Sequence, residues 1–142
     1  MRVEIISHAF DPWAEVQRYQ EQHQALQGKY GATSVFVGTM RDFNDNDQVL
    51  SMTLEHYPGM TEKYLTGIYA KAAERWELLD GMILHRVGEL QPNDPIVLVA
   101  VWSGHRAGAF DACRYLMEEL KTNAPLWKKE QLENGDRWVG DR

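Results

Sequence analysis

Residues 121–130 read KTNAPLWKKE and set Lys121, Lys128 and Lys129 around a bend that contains Pro125 and Trp127. The chain as a whole is acidic, with 15 Lys and Arg against 21 Asp and Glu and a formal net charge of -6. Ammonium groups gathered at one bend of such a chain form either a solvated basic patch or a pocket for an anion. Lys121 falls in the last turn of a predicted helix, where a cation already interacts favourably with the helix dipole. That accounts for Lys121 but not for Lys128. In an extended segment Leu126, Lys128 and Glu130 share one face, and Trp127 and Lys129 share the other. If Trp127 packs into the core, Lys128 points the opposite way, and the Asn-Ala-Pro bend brings it back beside Lys121. Two adjacent ammonium groups disfavour each other's charged form, which suits one of them as a proton donor or nucleophile.

A second cluster is SGHR, residues 103–106. It follows the most apolar segment and opens a predicted helix, whose start offers unpaired N–H groups and partial positive charge. His105 and Arg106 behind the permissive Gly104 would make a phosphate or carboxylate site; the alternative is an exposed helix start with two idle polar residues. A third is Arg41, which follows Gly38-Thr39-Met40 at the mouth of a polar loop. Glu55 and His56 point to opposite faces of a predicted strand and cannot form a local dyad, and the same limit applies to His85 and Arg86. No HExxH, P-loop or dinucleotide-binding glycine pattern is present, and the histidines are too scattered to suggest a metal site. Cys113 lies on an apolar helix stripe and reads as core, not nucleophile.

The elements that must position these groups follow from periodicity. Strands are predicted over residues 3–7, 32–40, 49–57, 82–87, 96–102, 126–131 and 136–139. Residues 41–48 read as a polar loop, 88–95 as a turn-rich connection, and Asn134-Gly135 as a hairpin turn. Asp11-Pro12 starts a first helix marked by Trp13, Val16, Tyr19, His23 and Leu26, with Gly28 as its stop. Thr61 caps a second helix with Tyr64, Leu65, Ile68, Ala72 and Trp76 on its buried stripe. The third carries Phe110, Cys113, Met117 and Leu120 on its core face and ends by Asn123 and Pro125. The segment IVLVAVW, residues 96–102, is apolar at every position, as in a central strand covered on both faces. Paired strands between helices predict an α+β domain with a mixed or antiparallel sheet and three main helices.

A chain of 142 residues suits a single domain spanning residues 1–142. No apolar run approaches a membrane span, and residues 1–13 lack the long apolar core of a signal peptide. A lone cysteine excludes an internal disulfide and suits a reducing compartment, so the cytoplasm is expected. Net acidity argues against general nucleic-acid binding.

The segments GATSVFVGTMRDFN, LEHYPGMTEK, HRVGEL, SGHRAGAFDACRYLMEELKTNAPLWKKE and GDRWV occur in that order. Over residues 3–139 the chain resembles the large, catalytic subunits of molybdopterin synthase. The resemblance implies an α/β-hammerhead fold and a homodimer with a small ubiquitin-like sulfur carrier at each end, a heterotetramer. It implies transfer of sulfur from the carrier's C-terminal Gly-Gly thiocarboxylate to cyclic pyranopterin monophosphate, forming the dithiolene of molybdopterin, with no metal or cofactor required. By motif, the family's essential lysine corresponds to Lys121 and the lysine after the tryptophan to Lys128. The phosphate-contacting pair, expected to act across the dimer interface, corresponds to His105 and Arg106. Arg41 and Arg137 match further substrate-binding arginines, and Phe36 and Met117 match apolar pocket positions. Asn123 departs from the pattern, since relatives often carry arginine there. Two other readings of the same basic residues are an adaptor that only binds a ubiquitin-like tail and a sensor of a small phosphate ligand.

Overall fold

The computed structural model describes residues 1–139. In chain order it contains β1 (Arg2–Ile6), α1 (Pro12–Gln22), a 3-10 turn (Gln24–Leu26), β2 (Ala32–Thr39), β3 (Phe43–Asn44), β4 (Asp47–Gln48) and β5 (Ser51–His56). There follow α2 (Met60–Trp76), β6 (Asp80–Arg86), β7 (Gly88–Leu90), β8 (Pro95–Ser103), α3 (Arg106–Asn123), β9 (Leu126–Leu132) and β10 (Gly135–Val139). This is the α+β arrangement with three main helices that the periodicity predicts.

The apolar segment that forms β8 sits inside a four-stranded sheet of order β1-β6-β8-β2. β1 runs parallel to β6, while β6–β8 and β8–β2 are antiparallel. Successive β8 side chains serve opposite layers, because a strand alternates faces. Val97, Val99 and Val101 join the core built with α2 and α3. Leu98, Ala100 and Trp102 join a second core with Tyr19 of α1. A second sheet, order β10-β9-β5-β7, is antiparallel throughout.

Local chemistry explains most helix boundaries. The Asp11 carboxylate accepts hydrogen bonds from the N–H groups of Trp13 and Ala14, at 3.1 and 3.2 Å, with Pro12 in the first turn. α1 ends at Gln22, short of Gly28, and Leu26 is buried from the 3-10 turn instead. α2 starts at Met60 behind Gly59, whose φ of +84° is open to glycine. Thr61 is therefore inside the first turn and is not the cap that its sequence position suggests.

Further differences have clear causes. Residues 41–48 contain the small β3–β4 hairpin, turned by Asp45 and Asn46 with φ of 52° and 66°. Asp and Asn tolerate that left-handed backbone, which a two-residue hairpin needs at both central positions. Residues 88–95 include β7, which pairs with β5. Phe110, expected on the core face of the third helix, is 67% exposed, and Trp13, which marks the helical spacing of the first, is 63% exposed.

Candidate functional site

α3 buries Ala109, Ala112, Cys113, Leu116 and Leu120, which fixes the helix against the first sheet. Lys121 follows Leu120 directly and is exposed in the last turn. The chain then turns through buried Ala124 and enters β9 at buried Leu126. Thr61, fully buried, clamps this bend: its hydroxyl accepts from the Tyr57 N–H and donates to the Pro125 carbonyl, both at 2.9 Å.

β9 keeps the predicted alternation but presents the opposite face. Leu126 and Glu130 are buried, Lys128 is half-buried beside them, and Trp127 is 45% exposed. The register with β5 decides this. Leu54 pairs with Lys128 and Met52 with Glu130, and both β5 partners face the core. Trp127 thus does not pack inward, and Lys128 reaches the Lys121 side from the inner face of the second sheet.

Between the two sheets lies a cavity of about 220 Å³. Phe36, Met117, Lys121 and Lys128 all line it. Gly38 is also on its wall, where a Cβ would meet the Val97 side chain at 2.8 Å. A smaller cavity of about 80 Å³ adjoins it, with Met52, Ile96 and Lys128 on both walls. Arg41 lines this second space, its guanidinium 4.7 Å from the Phe43 ring centroid. Four residues singled out from sequence share one cavity, and Arg41 stands next to it.

Arg137 occupies a different position. Its Nε donates to the buried Glu130 carboxylate at 2.9 Å, its Nη1 meets Asp47 at 2.8 Å, and its Nη2 donates to the Asn44 carbonyl at 3.0 Å. Bonds to Glu130 and then Asp47 push its guanidinium pKa up still further. The Asn44 amide also donates to Glu130, at 3.0 Å. This network fastens the β3–β4 hairpin, and with it the Arg41 loop, to β9.

His105 and Arg106 lie at the start of α3 and are both exposed, with the His105 N–H donating to Ser103 Oγ at 3.3 Å. Arg106 and Lys121 stand fifteen residues apart on one helix, roughly 22 Å along its axis. A single chain does not bring the two basic corners together.

The sequence reading excludes only a local dyad for His85, whereas the structure makes it a polar residue of the cavity. His85 of β6 is 5% exposed and lines the cavity with the two lysines. Alternation along β6 sets its side chain on the Ile83 face, towards α2 and α3, but says nothing about which end of that face stays open. Among the described residues there is no group of three or more His, Cys, Asp or Glu placed to hold a metal ion, and no helix long and apolar enough to cross a membrane.

The family model described as MoaE protein matches residues 9–123. The chain is 57% identical over 112 residues to the molybdopterin synthase catalytic subunit of Ralstonia nicotianae, covering 79% of this chain and 64% of that relative. It is 50% identical over all 142 residues to the molybdopterin synthase catalytic subunit of Pseudomonas aeruginosa, spanning 92% of it. The crystal structure of molybdopterin synthase from Staphylococcus aureus matches with a TM-score of 0.85 at 34% identity, covering 96% of each chain. A complex of subunits 1 and 2 of molybdopterin-converting factor from Helicobacter pylori shares the fold, with a TM-score of 0.80 at 24% identity over 99% of this chain and 91% of that one. The chain belongs to the MoaE protein family, the catalytic subunits of molybdopterin synthase, which act in molybdenum cofactor biosynthesis.

Proposed function

We propose that Lys121 and Lys128 carry out sulfur transfer inside the 220 Å³ cavity, from the thiocarboxylate tail of a small ubiquitin-like carrier to cyclic pyranopterin monophosphate. The observation that supports this most is that lysines from two elements line one cavity whose remaining wall is largely apolar. Both substrates are anions, and each must lose water to enter. Desolvating an anion is costly without compensating cations, and two ammonium groups supply them locally in an otherwise acidic chain.

The carrier sulfur attacks a side-chain carbon of the pterin, and the C–O bond from that carbon to the cyclic phosphate breaks as the C–S bond forms, so the ring opens to a phosphate monoester and a thioester-like link joins carrier and pterin. Water then cleaves that link, releasing the carrier as a carboxylate and leaving the sulfur on the pterin. A second carrier adds its sulfur to the neighbouring carbonyl carbon, whose oxygen leaves as water, and hydrolysis of this second link releases the carrier as a carboxylate and completes the dithiolene. Lys121 stabilises the developing oxyanion and moves the proton, and Lys128 holds the second anion. Phe36 and Met117 form apolar walls, and Arg41 assists opening of the cyclic phosphate. Arg137 serves the substrate indirectly, by holding the hairpin and the Arg41 loop in place.

The phosphate clamp formed by His105, Arg106 and the start of α3 comes from a second copy of the chain. A surface suited to that copy exists. β2 is the free edge of its sheet, and Phe36 and Phe110 stand 42% and 67% exposed around a groove of about 290 Å³. An open edge beside exposed aromatics is a surface that a symmetric partner covers. The carrier is a further partner, and the reaction belongs in the cytoplasm, where Cys113 stays a thiol.

Incubating the protein with thiocarboxylated carrier and cyclic pyranopterin monophosphate tests this reading. Lys121→Ala is expected to lower the rate by about 10²–10³-fold or more while carrier affinity stays nearly constant. Undiminished dithiolene formation by that variant would overturn the assignment.

A further inference from the structure

We propose that His85 is a positioning residue of the sulfur-transfer site, accepting a hydrogen bond at Nε2 from an ammonium of the Lys121–Lys128 pair in the reacting complex. The inference rests on the assignment of those lysines made above.

His85 follows Ile83 on the β6 face turned towards α3, and pairs in register with Val97 of β8, which also lines the cavity. Its Nδ1 lies 2.8 Å from the Arg86 carbonyl oxygen. A carbonyl only accepts, so Nδ1 carries the hydrogen, and Nε2 is the acceptor atom of the neutral ring. The polar side chains lining the cavity are His85, Lys121 and Lys128, and the remaining lining residues are apolar or glycine. An ammonium has three donors and no acceptor. Among the side chains lining this cavity, the imidazole is the acceptor.

The choice of an imidazole has a functional consequence. A carboxylate in that position would hold the amine but neutralise its field and repel both anionic substrates. A neutral ring orients the amine and leaves its charge available to the thiocarboxylate and the phosphate. Backbone anchoring of Nδ1 fixes both tautomer and ring plane, so the acceptor atom is in place before substrate enters.

The test compares His85→Gln with His85→Asn in the assay with thiocarboxylated carrier and cyclic pyranopterin monophosphate. Glutamine places its amide where Nε2 stands, and asparagine places its amide where Nδ1 stands. His85→Asn is expected to lower kcat by about 10–100-fold, the range for a lost hydrogen bond to a charged group, with KM changed less than kcat. His85→Gln is expected to recover at least about a tenfold part of that loss. Loss in glutamine alone, equal loss in both or no loss in either overturns the proposal. Nitrogen-15 spectra of histidine-labelled wild-type protein give an answer that needs no variant: Nδ1–H with a bare Nε2 is expected, and Nε2–H overturns it. Lys121→Ala and Lys128→Ala run in parallel separate the two levels. Full turnover in both lysine variants removes the site assignment itself. Their loss, together with the wrong His85 pattern, removes only this inference.

Discussion

The buried hydroxyl of Thr61 donates a 2.9 Å hydrogen bond to the carbonyl of Pro125, and so ties the first turn of α2 to the bend between Lys121 and Lys128. The same oxygen accepts from the Tyr57 N–H, so one side chain joins the end of β5, the start of α2 and the entry to β9. Thr61→Val keeps the shape and removes both bonds, at a cost of roughly 1–3 kcal/mol for each buried group left unpaired. A lower urea midpoint with an unchanged slope is expected, together with reduced turnover as Lys128 loses its placement. Thr61→Ser, which keeps the hydroxyl, is expected to lose less of both. An unchanged midpoint in Thr61→Val would show that the clamp does not matter.

The sheet frame is readable because residues 96–102 of β8 are apolar at every position and rich in β-branched valine and isoleucine, as in a strand covered on both faces. The pairing of Lys121 with Lys128 in one cavity was readable in part. Alternation sorted residues 126–130 into two faces, but which face turns inward depends on the register with Met52 and Leu54 of β5, a contact over seventy residues distant in sequence. Tryptophan at 127 looked like the core residue by composition, yet Leu126 and Glu130 hold the inner face, and Glu130 is tolerated there because Asn44 and Arg137 satisfy it. The roles of Thr61 and His85 are hidden from the sequence for the same reason. Their roles rest on long-range partners, the Pro125 carbonyl and the open end of the α3 face, that no local spacing encodes.

Cys113 lies in the core at 6% exposure, and burial pushes its thiol up, partly offset by a hydrogen bond with Ser34. At pH 7 the native thiol is expected to react with a disulfide reagent at least about tenfold more slowly than in urea, because little thiolate forms and access is poor. Cys113→Ala is expected to keep its turnover. Rapid stoichiometric labelling of the folded protein, or loss of activity in the alanine variant with an intact fold, would contradict a purely packing role.

Glu15 of α1 receives Arg2 Nη1 at 2.6 Å and Arg18 Nη2 at 2.8 Å. Partial burial alone would raise its carboxyl pKa, but hydrogen bonds and charge from Arg2 and then Arg18 outweigh this and hold it below its ordinary value of 4.5. A carboxyl with a depressed folded-state pKa contributes stability above its unfolded pKa, and that contribution is lost as pH falls through the folded value. Glu15→Gln is therefore expected to be less stable at pH 7, by about 1 kcal/mol or less, with the gap narrowing as pH falls below the ordinary carboxyl value of 4.5. Urea midpoints measured from pH 7 down to pH 3 give the comparison. A constant gap between the two proteins across that range would rule out this ion pair as a source of acid sensitivity.

The two basic corners stand at opposite ends of α3, with His105 and Arg106 at its start and Lys121 in its last turn. A phosphate held at one end cannot react at the other unless a second chain reverses the geometry. If each site takes its lysines from one protomer and its clamp from the partner, then mixing two inactive variants restores function. A Lys121→Ala chain paired with a His105→Ala plus Arg106→Ala chain leaves one of the two sites with every group intact. Random exchange makes about half of the dimers mixed, so roughly a quarter of wild-type turnover is expected to return. Each variant alone stays inactive, because both of its sites lack the same group. Differently tagged chains, purified through both tags, allow the mixed species to be assayed directly. Mixed dimers as inactive as their parents would mean that the phosphate cradle and the lysines do not meet across an interface, and the clamp would have to be sought among the residues that line the Lys121 cavity within one chain.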